Sequence, residues 1–318
     1  MKKRNRFGIF TLVLILSLCG CTQDKIPMSS SSDIQKEQDT LPEAEITPEE
    51  EPFLYGYQNL NEEEKTRYRQ ILAGIENYED SVTVEACSEE EINKVSNLVF
   101  VDHPEIFWLE QQNYSFNQKE NSDVDLLELN LVYNMEKDEI EDTKRQIEAK
   151  AEEWSQELSN YENEYDKIKY VYEFLGKNVL YDSESENNQN IQSVFLNQST
   201  VCMGFAKATQ YLLVRNGIFC TLVTGKVIPE NMEHAWNLVR IGENYYYVDT
   251  TWSSSGFVPE EDSIQDFSYT YLCCTAQTLE RSHVPDDNLT LPECKDDSYN
   301  YYKQNQSWYE SYDESQIY

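Results

Sequence analysis

Three short stretches decide how this chain is interpreted: Val201-Cys202-Met203-Gly204-Phe205-Ala206, His234-Ala235-Trp236-Asn237 and Tyr247-Val248-Asp249-Thr250-Thr251-Trp252. A thiol, an imidazole and a carboxylate follow one another in them, each on a different predicted element. The chain has 318 residues and only 3 histidines, so a histidine between a cysteine-led helix and an aspartate-ended strand is a candidate base. These groups are the components of an activated thiol nucleophile.

The first stretch predicts the start of a helix. The helix is expected over residues 203–215, with Ser199 or Thr200 as its cap. Cys202 then lies at or just before the first turn, where the positive end of the helix dipole favours thiolate over thiol. Gly204 has no side chain, so a substrate or a neighbouring strand can approach the start of the helix closely. For Cys202 taken alone, a buried structural cysteine is the alternative.

The second and third stretches predict a β-hairpin. Gly242-Glu243 fits a two-residue turn, and the resulting register places His234, Trp236 and Asp249 on one face. His234 and Asp249 become diagonal neighbours, so the carboxylate can accept from one ring nitrogen and leave the other for a thiol. A core histidine beside a capping aspartate is the alternative for this pair alone.

Taken together, the signatures V-C-M-G-F-A-K-A, H-A-W-N-L-V and Y-Y-V-D-T-T-W resemble the transglutaminase-like superfamily of papain-like thiol enzymes. The resemblance covers about residues 165–283 and implies an α+β fold, in which the cysteine-led helix packs on an antiparallel sheet. It implies that Cys202 is the nucleophile, His234 the general base and acid, and Asp249 the residue that orients His234. This chemistry requires no cofactor and no metal, and no D-x-D-x-D-G calcium loop is visible.

The resemblance also assigns supporting residues. Trp236 and Trp252 match aromatic positions that wall the site, and Asn237 is expected to bond the backbone rather than substrate. Tyr181 is a candidate donor on the oxyanion side, because an upstream aromatic residue often has that role in relatives. The chain departs from the family at Thr200, where relatives often have glycine.

The N-terminus predicts export. A basic start and the apolar run Ile9 to Leu18 end in Leu18-Cys19-Gly20-Cys21. This ending resembles the bacterial lipobox, which implies cleavage before Cys21 and a diacylglycerol on its sulfur. The mature protein would then be extracytoplasmic and lipid-anchored to the bacterial cell membrane. An ordinary signal peptide or a short membrane anchor is the alternative.

The chain is expected to divide into five segments. They are a lipoprotein signal peptide (1–20), a disordered acidic linker (21–52), an N-terminal α+β region (53–158), the transglutaminase-like catalytic domain (159–290) and a C-terminal tail (291–318). The linker is predicted to be disordered because it has few apolar residues to bury.

Several elements around the site can also be placed. Helices are predicted to begin after Asn61 and Ser88, each of which has glutamate three residues further on. A half-buried strand is expected over residues 127–133 and a long charged helix over residues 136–158. The next helix is expected to end at Gly176.

Charge and cysteine content limit the partners. With 59 acidic and 25 basic residues and a net charge of -34, the chain is an unsuitable partner for nucleic acid. Of the 8 cysteines, Cys19 would leave with the signal peptide and Cys21 would carry lipid. Outside the cytoplasm a disulfide between Cys294 and either Cys273 or Cys274 is expected.

The function predicted from these features is a thiol enzyme that acts on amide or peptide bonds of proteins, with cell-wall peptides as one option. Resolution of the acyl-enzyme by water gives a protease or deamidase, and resolution by an amine gives a transamidase. A non-catalytic surface module that binds peptide or cell-wall polymer is the alternative. A redox protein that uses Cys273 and Cys274 is a third, weaker hypothesis.

Overall fold

A computed structural model describes residues 41–109, 116–119, 126–253 and 267–305, with only the backbone at 116–119. The predicted signal peptide, Cys21 and the first part of the predicted linker lie outside these residues. Among the described residues, no helix combines the length and the apolar character that crossing a membrane requires.

The described chain contains both α-helices and strands, in mixed order. The helices are α1 (Tyr55–Gln58), α2 (Glu62–Asn77), α3 (Glu89–Asp102), α4 (Lys137–Ser155), α5 (Glu164–Asn178), α6 (Cys202–Arg215), α7 (Ala276–Leu279) and α8 (Tyr301–Gln304). The strands are β1 (Ser81–Glu85), β2 (Phe116–Lys119), β3 (Leu126–Asn130), β4 (Leu180–Tyr181), β5 (Ser199–Thr200), β6 (Cys220–Val227), β7 (Met232–Ile241), β8 (Asn244–Val248) and β9 (His283–Pro285).

A four-stranded antiparallel sheet with the order β8-β7-β6-β9 supports the candidate site. The predicted hairpin between β7 and β8 is confirmed, because Ile241 pairs with Asn244 and Gly242 has the positive φ of +58° that the turn requires. Helix α6 packs on this sheet, and the Asn237 side chain donates to the Ala206 carbonyl at 2.9 Å. The structure is therefore α+β, as the sequence predicts.

The N-terminal region is a second layer of helices with a small sheet of order β1-β3-β2. The predicted helix starts are confirmed: Asn61 accepts from the N–H of Glu64, and Ser88 accepts from the N–H of Glu91. Strand β3 pairs with β2 on one side and with β1 on the other, and β1 was not predicted. The segment Ser81–Glu85 has only two apolar positions, Val82 and Val84, which make a weak periodic signal.

Two predicted helix ends are wrong. Helix α6 has Val201 at its N-cap position, and the Thr200 hydroxyl instead donates to the Asn188 carbonyl at 2.9 Å. Helix α5 continues past Gly176 to Asn178. A Cβ on Gly176 would lie 2.0 Å from Ser253 Oγ, so this glycine permits close packing and does not end the helix.

The predicted linker is ordered at its C-terminal end. The Ala44 N–H donates to the Arg69 carbonyl at 2.9 Å, and Arg69 forms an ion pair with Glu43 at 2.8 Å. Residues 41–52, expected to be disordered, therefore pack against α2. Their contacts lie far along the chain, so the polar composition of this segment does not reveal them.

The predicted disulfide is absent, since the six described cysteines are all free thiols. Cys273 lies in the main core, whereas Cys274 and Cys294 belong to a second cluster around Trp236 and Tyr247. Cys294 contacts the Pro292 carbonyl at 3.6 Å instead of another sulfur. These buried thiols therefore serve as small apolar side chains.

Candidate active site

Cys202 is the first residue of α6 and is partly exposed. The N-cap residue, Val201, makes no side-chain hydrogen bond to the first turn, so the cap leaves the N–H groups there to other acceptors. Such groups can donate to an oxyanion, and the helix dipole favours a thiolate at this end. The parallel pairing of β4 with β5 holds the chain that enters the helix.

His234 and Asp249 are brought together by the β7–β8 hairpin. His234 Nε2 lies 2.8 Å from Asp249 Oδ2, and the Asp249 side chain is completely buried. An ionised carboxylate only accepts hydrogen bonds, so Nε2 carries the hydrogen and Nδ1 is left for the thiol. Cys202 lies close enough to the His234 ring to contribute to the raised pKa of the imidazole, so the thiol, imidazole and carboxylate are neighbours.

The electrostatics of this group favour a charged imidazole. Burial lowers the pKa of His234, but the Asp249 charge and hydrogen bond and the Cys202 thiol outweigh it and raise the pKa to about 10. Burial raises the pKa of Asp249, yet its bonds to His234 and His283 hold it below the usual range. Near neutral pH the arrangement therefore favours an imidazolium beside an ionised Asp249.

Asp249 is fixed on its other side as well. Its Oδ1 accepts from the backbone N–H groups of Thr251 at 2.9 Å and Trp252 at 3.4 Å. The neighbouring Thr250 hydroxyl bonds the Thr209 hydroxyl of α6 at 2.9 Å. The carboxylate is thus tied to the same helix that carries Cys202.

Sequence reasoning missed two residues of this site, His283 and Gly225. His283 Nε2 lies 3.1 Å from Asp249 Oδ2, and its side chain has no exposed area. Gly225 lies on β6 between His234 of β7 and Pro285 of β9. The signal in the sequence was slight: a histidine in the short extended run Ser282-His283-Val284-Pro285.

The predicted supporting residues occupy different environments. Trp236 is fully buried and stacks on His234 with ring centroids 5.9 Å apart, so it supports the imidazole and cannot contact substrate. Trp252 is partly exposed and lies 5.9 Å from the same ring. Asn237 is buried and joins sheet to helix.

Burial and the charge of Cys202 both raise the pKa of Tyr181, which indicates that its hydroxyl lies within electrostatic reach of the thiol.

Gly204 is required by packing behind the nucleophile. A Cβ at this position would lie 1.9 Å from Thr200 Oγ1 and 3.1 Å from the Asn188 carbonyl. The neighbour that approaches the helix start is therefore the Thr200 side chain, and not a substrate.

One group among the described residues has the composition of a metal site. The possible ligand atoms of His234, Asp249 and His283 lie within 4.8 Å of one another. Both Nε2 atoms are already within hydrogen-bond distance of Asp249 Oδ2. Hydrogen bonds therefore account for the cluster.

Comparison with known proteins identifies the domain. Residues 152–250 match the family model of the transglutaminase-like superfamily. The mouse (Mus musculus) kyphoscoliosis peptidase is 23% identical over 147 residues, which is 41% of this chain and 22% of the mouse protein. Residues 152–250 are thus similar to the transglutaminase-like superfamily, and the chain spans less than a quarter of the mouse relative.

Two solved structures show weaker similarity. One is described as a TGase, with 17% identity and a TM-score of 0.33, covering 58% of this chain and 53% of the other. The second is a proposed cysteine protease from Cytophaga hutchinsonii, with 17% identity, a TM-score of 0.31, and coverage of 44% of this chain and 62% of the other. The similarity to the transglutaminase-like superfamily therefore rests on the sequence match over residues 152–250.

Proposed function

Because residues 152–250 carry a transglutaminase-like domain, we propose that this protein is a cysteine enzyme that acts on amide bonds of proteins or peptides. One observation carries the proposal: the 2.8 Å contact between His234 Nε2 and Asp249 Oδ2. It orients the imidazole through Nε2, and we propose that Nδ1 serves the thiol at the start of α6. This is the arrangement that a thiolate nucleophile and its general acid require.

The proposed reaction has two halves. The Cys202 thiolate attacks the substrate carbonyl, and N–H groups of the first turn of α6 stabilise the oxyanion. His234 then gives its proton to the leaving amine, the carbon–nitrogen bond breaks, and a thioester to Cys202 remains. In the second half an acceptor loses a proton to His234, attacks the thioester and releases the Cys202 thiolate. Asp249 keeps its charge and orients the ring throughout.

The acceptor determines the product. Water as acceptor hydrolyses a peptide bond or deamidates a glutamine, whereas a primary amine forms a new amide. We propose proteins or peptides as substrates, with cell-wall peptides as one class to test.

Thiol labelling tests the nucleophile. With iodoacetamide near neutral pH, we expect Cys202 to be alkylated faster than Cys87, because burial raises the pKa of the Cys87 thiol. Cys87 is the matched control, since it too is partly exposed. Equal labelling rates, together with unchanged products from Cys202→Ala, would reject the enzyme and support a non-catalytic binding module.

Product analysis tests the second half of the reaction. A variant of residues 41–318 would be incubated with casein and with cell-wall peptides, with and without a primary amine. The products would be measured by mass spectrometry. Hydrolysis, deamidation and transamidation give distinct mass changes, and each should disappear in Cys202→Ala but persist in Cys87→Ala.

We also propose that the protein is a lipoprotein outside the cytoplasm, on the basis of Leu18-Cys19-Gly20-Cys21 alone. Cys21→Ser should abolish incorporation of a fatty-acid label and release the protein from the membrane fraction, while Cys87→Ala should change neither. Retention of the label in Cys21→Ser would contradict lipidation at this residue.

A further inference from the structure

The Asp249 carboxylate binds two imidazoles through one oxygen. Its Oδ2 lies 2.8 Å from His234 Nε2 and 3.1 Å from His283 Nε2. Because the carboxylate accepts, both nitrogens must donate N–H groups. His234 and His283 thus share one acceptor.

The far side of His283 is held by two hydroxyl groups. Its Nδ1 lies 2.8 Å from Ser282 Oγ, which in turn lies 2.6 Å from the Tyr271 hydroxyl. One arrangement fits the three short contacts: Tyr271 donates to Ser282, Ser282 donates to Nδ1, and Nε2 donates to Asp249. The chain of hydrogen bonds therefore has a single direction that ends on the carboxylate.

The surroundings keep His283 away from substrate but close to the site. Its side chain has no exposed area, and its ring centroid lies 4.7 Å from that of Trp252 and 5.0 Å from that of Trp236. In the described part of the chain, the titratable groups that face it are Asp249, His234 and Tyr271. Its role must therefore be exerted through Asp249.

The sheet is built to admit this ring. Strand β9 pairs with β6, and a Cβ on Gly225 would lie 2.2 Å from the Val284 carbonyl and 2.6 Å from Trp236 Cη2. Only glycine on β6 lets β9 and the Trp236 ring close over that strand. This closure brings His283 beside Asp249.

We propose that His283 is a positioning residue of the thiol site, which holds Asp249 Oδ2 in place and limits how strongly that carboxylate retains the His234 proton. Each hydrogen bond that an ionised carboxylate accepts lowers its affinity for a proton. Without the His283 donor, Asp249 would bind the His234 N–H more tightly, and the imidazolium would release its proton to the leaving amine less readily. This proposal rests on the proposed function for its catalytic consequence.

Two substitutions separate the donor from the ring. His283→Phe keeps a ring among Trp252, Trp236 and Tyr271 but has no N–H group. His283→Gln loses the ring but keeps an N–H donor that can reach Asp249. If His283 acts through its hydrogen bond, the glutamine variant should be the less damaged of the two.

The expected results are specific in size and sign. His283→Phe should lower kcat about 10-fold with little change in KM, a loss typical when a hydrogen-bond partner behind a reactive group is removed. NMR titration should show the midpoint of the His234 ring moved to higher pH in His283→Phe and close to the original in His283→Gln. The chain has only 3 histidines, so their ring signals can be assigned by substitution.

Other outcomes would overturn the proposal. A merely structural role predicts lower thermal stability in both variants with an unchanged His234 midpoint, or more damage from glutamine than from phenylalanine. If His283→Phe does not fold, Ser282→Ala replaces it, and the expected midpoint shift has the same direction but is smaller. An unchanged midpoint in Ser282→Ala would then count against the proposal.

The two hypotheses fail separately. If Cys202→Ala leaves amide products unchanged, the proposed enzyme function is wrong. The NMR titration of His234 needs no substrate, so it still decides whether His283 acts on Asp249.

Discussion

At the residue scale, the charge of Asp249 determines the protonation of His234. Asp249→Asn removes the charge that offsets burial, so the His234 pKa of about 10 should fall. Loss of an opposite charge at hydrogen-bond distance is worth about 1–3 pKa units. The pH above which turnover declines should fall with it, because the leaving amine needs the imidazolium as its acid. An NMR titration of the His234 ring and a pH–rate profile measure both quantities.

Asp182→Asn is the control for this prediction. Asp182 follows Tyr181 near the site, but it accepts hydrogen bonds from the Glu184 N–H and the Ser199 hydroxyl, and neither involves His234. An Asp249→Asn enzyme whose basic limit stays at the original pH would show that the carboxylate orients the ring without setting its charge. The shift expected here is opposite in sign to the one expected for His283→Phe, so the two substitutions check each other.

The sequence predicted the pairing of His234 with Asp249 but not the contact with His283. A two-residue turn at Gly242 fixes the register of adjacent strands, and the side-chain period of two then follows. His283 reaches Asp249 only because β9 pairs with β6 from the far edge of the sheet. The paired residues lie more than 50 positions apart in the chain, and only three residues of each strand take part. Neither local propensity nor spacing predicts such a pairing.

At the element scale, the start of α6 depends on Gly204. The substitution Gly204→Ala would place a methyl group 1.9 Å from Thr200 Oγ1, which is itself bonded to Ser193 and Asn188. Overpacking of this kind destabilises a protein by about 1–3 kcal/mol. We also expect slower alkylation of Cys202, since the helix start must move. Thermal unfolding and the alkylation rate are the measurements.

A second substitution tests the cause. Gly204→Ala combined with Thr200→Ala removes the colliding hydroxyl and should recover part of the lost stability. If the double variant loses as much stability as the two single variants together, or more, the collision with Thr200 is not the cause. The prediction that Ser199 or Thr200 caps α6 was wrong for a related reason: the Thr200 hydroxyl is engaged by the loop before it, and capping rules consider only local partners.

At the scale of the whole molecule, the two predicted regions share contacts. Gln210 of α6 donates to the Val101 carbonyl at 2.8 Å in the buried interior. Trp154 lies with its ring centroid 5.0 Å from that of Phe174 and 4.9 Å from that of Phe195. Residues from 41 onward accordingly form one unit. Composition and local periodicity could locate helices here, but not the partners of their buried faces.

This shared interior predicts the behaviour of fragments. A fragment of residues 159–290, the predicted catalytic domain, would expose the rings that Trp154 covers and leave the Gln210 amide without its Val101 acceptor. An uncovered apolar face and an unpaired polar group each cost free energy on a scale of about 1–3 kcal/mol. We therefore expect no cooperative thermal unfolding and no fast alkylation of Cys202 in this fragment, as measured by near-ultraviolet circular dichroism and iodoacetamide labelling.

Residues 41–318 are the matched control, because they keep every contact named above and should unfold cooperatively with a reactive Cys202. An intermediate truncation to 53–318 removes the Arg69–Glu43 ion pair and the packing of Ala44, and should lose about 1 kcal/mol while it keeps the thiol reactive. A 159–290 fragment that unfolds cooperatively and labels as fast as 41–318 would show that the N-terminal layer is an addition to a self-sufficient catalytic domain. The buried contacts of Gln210 and Trp154 argue for the opposite: the layer before residue 159 completes the core against which α6 holds Cys202.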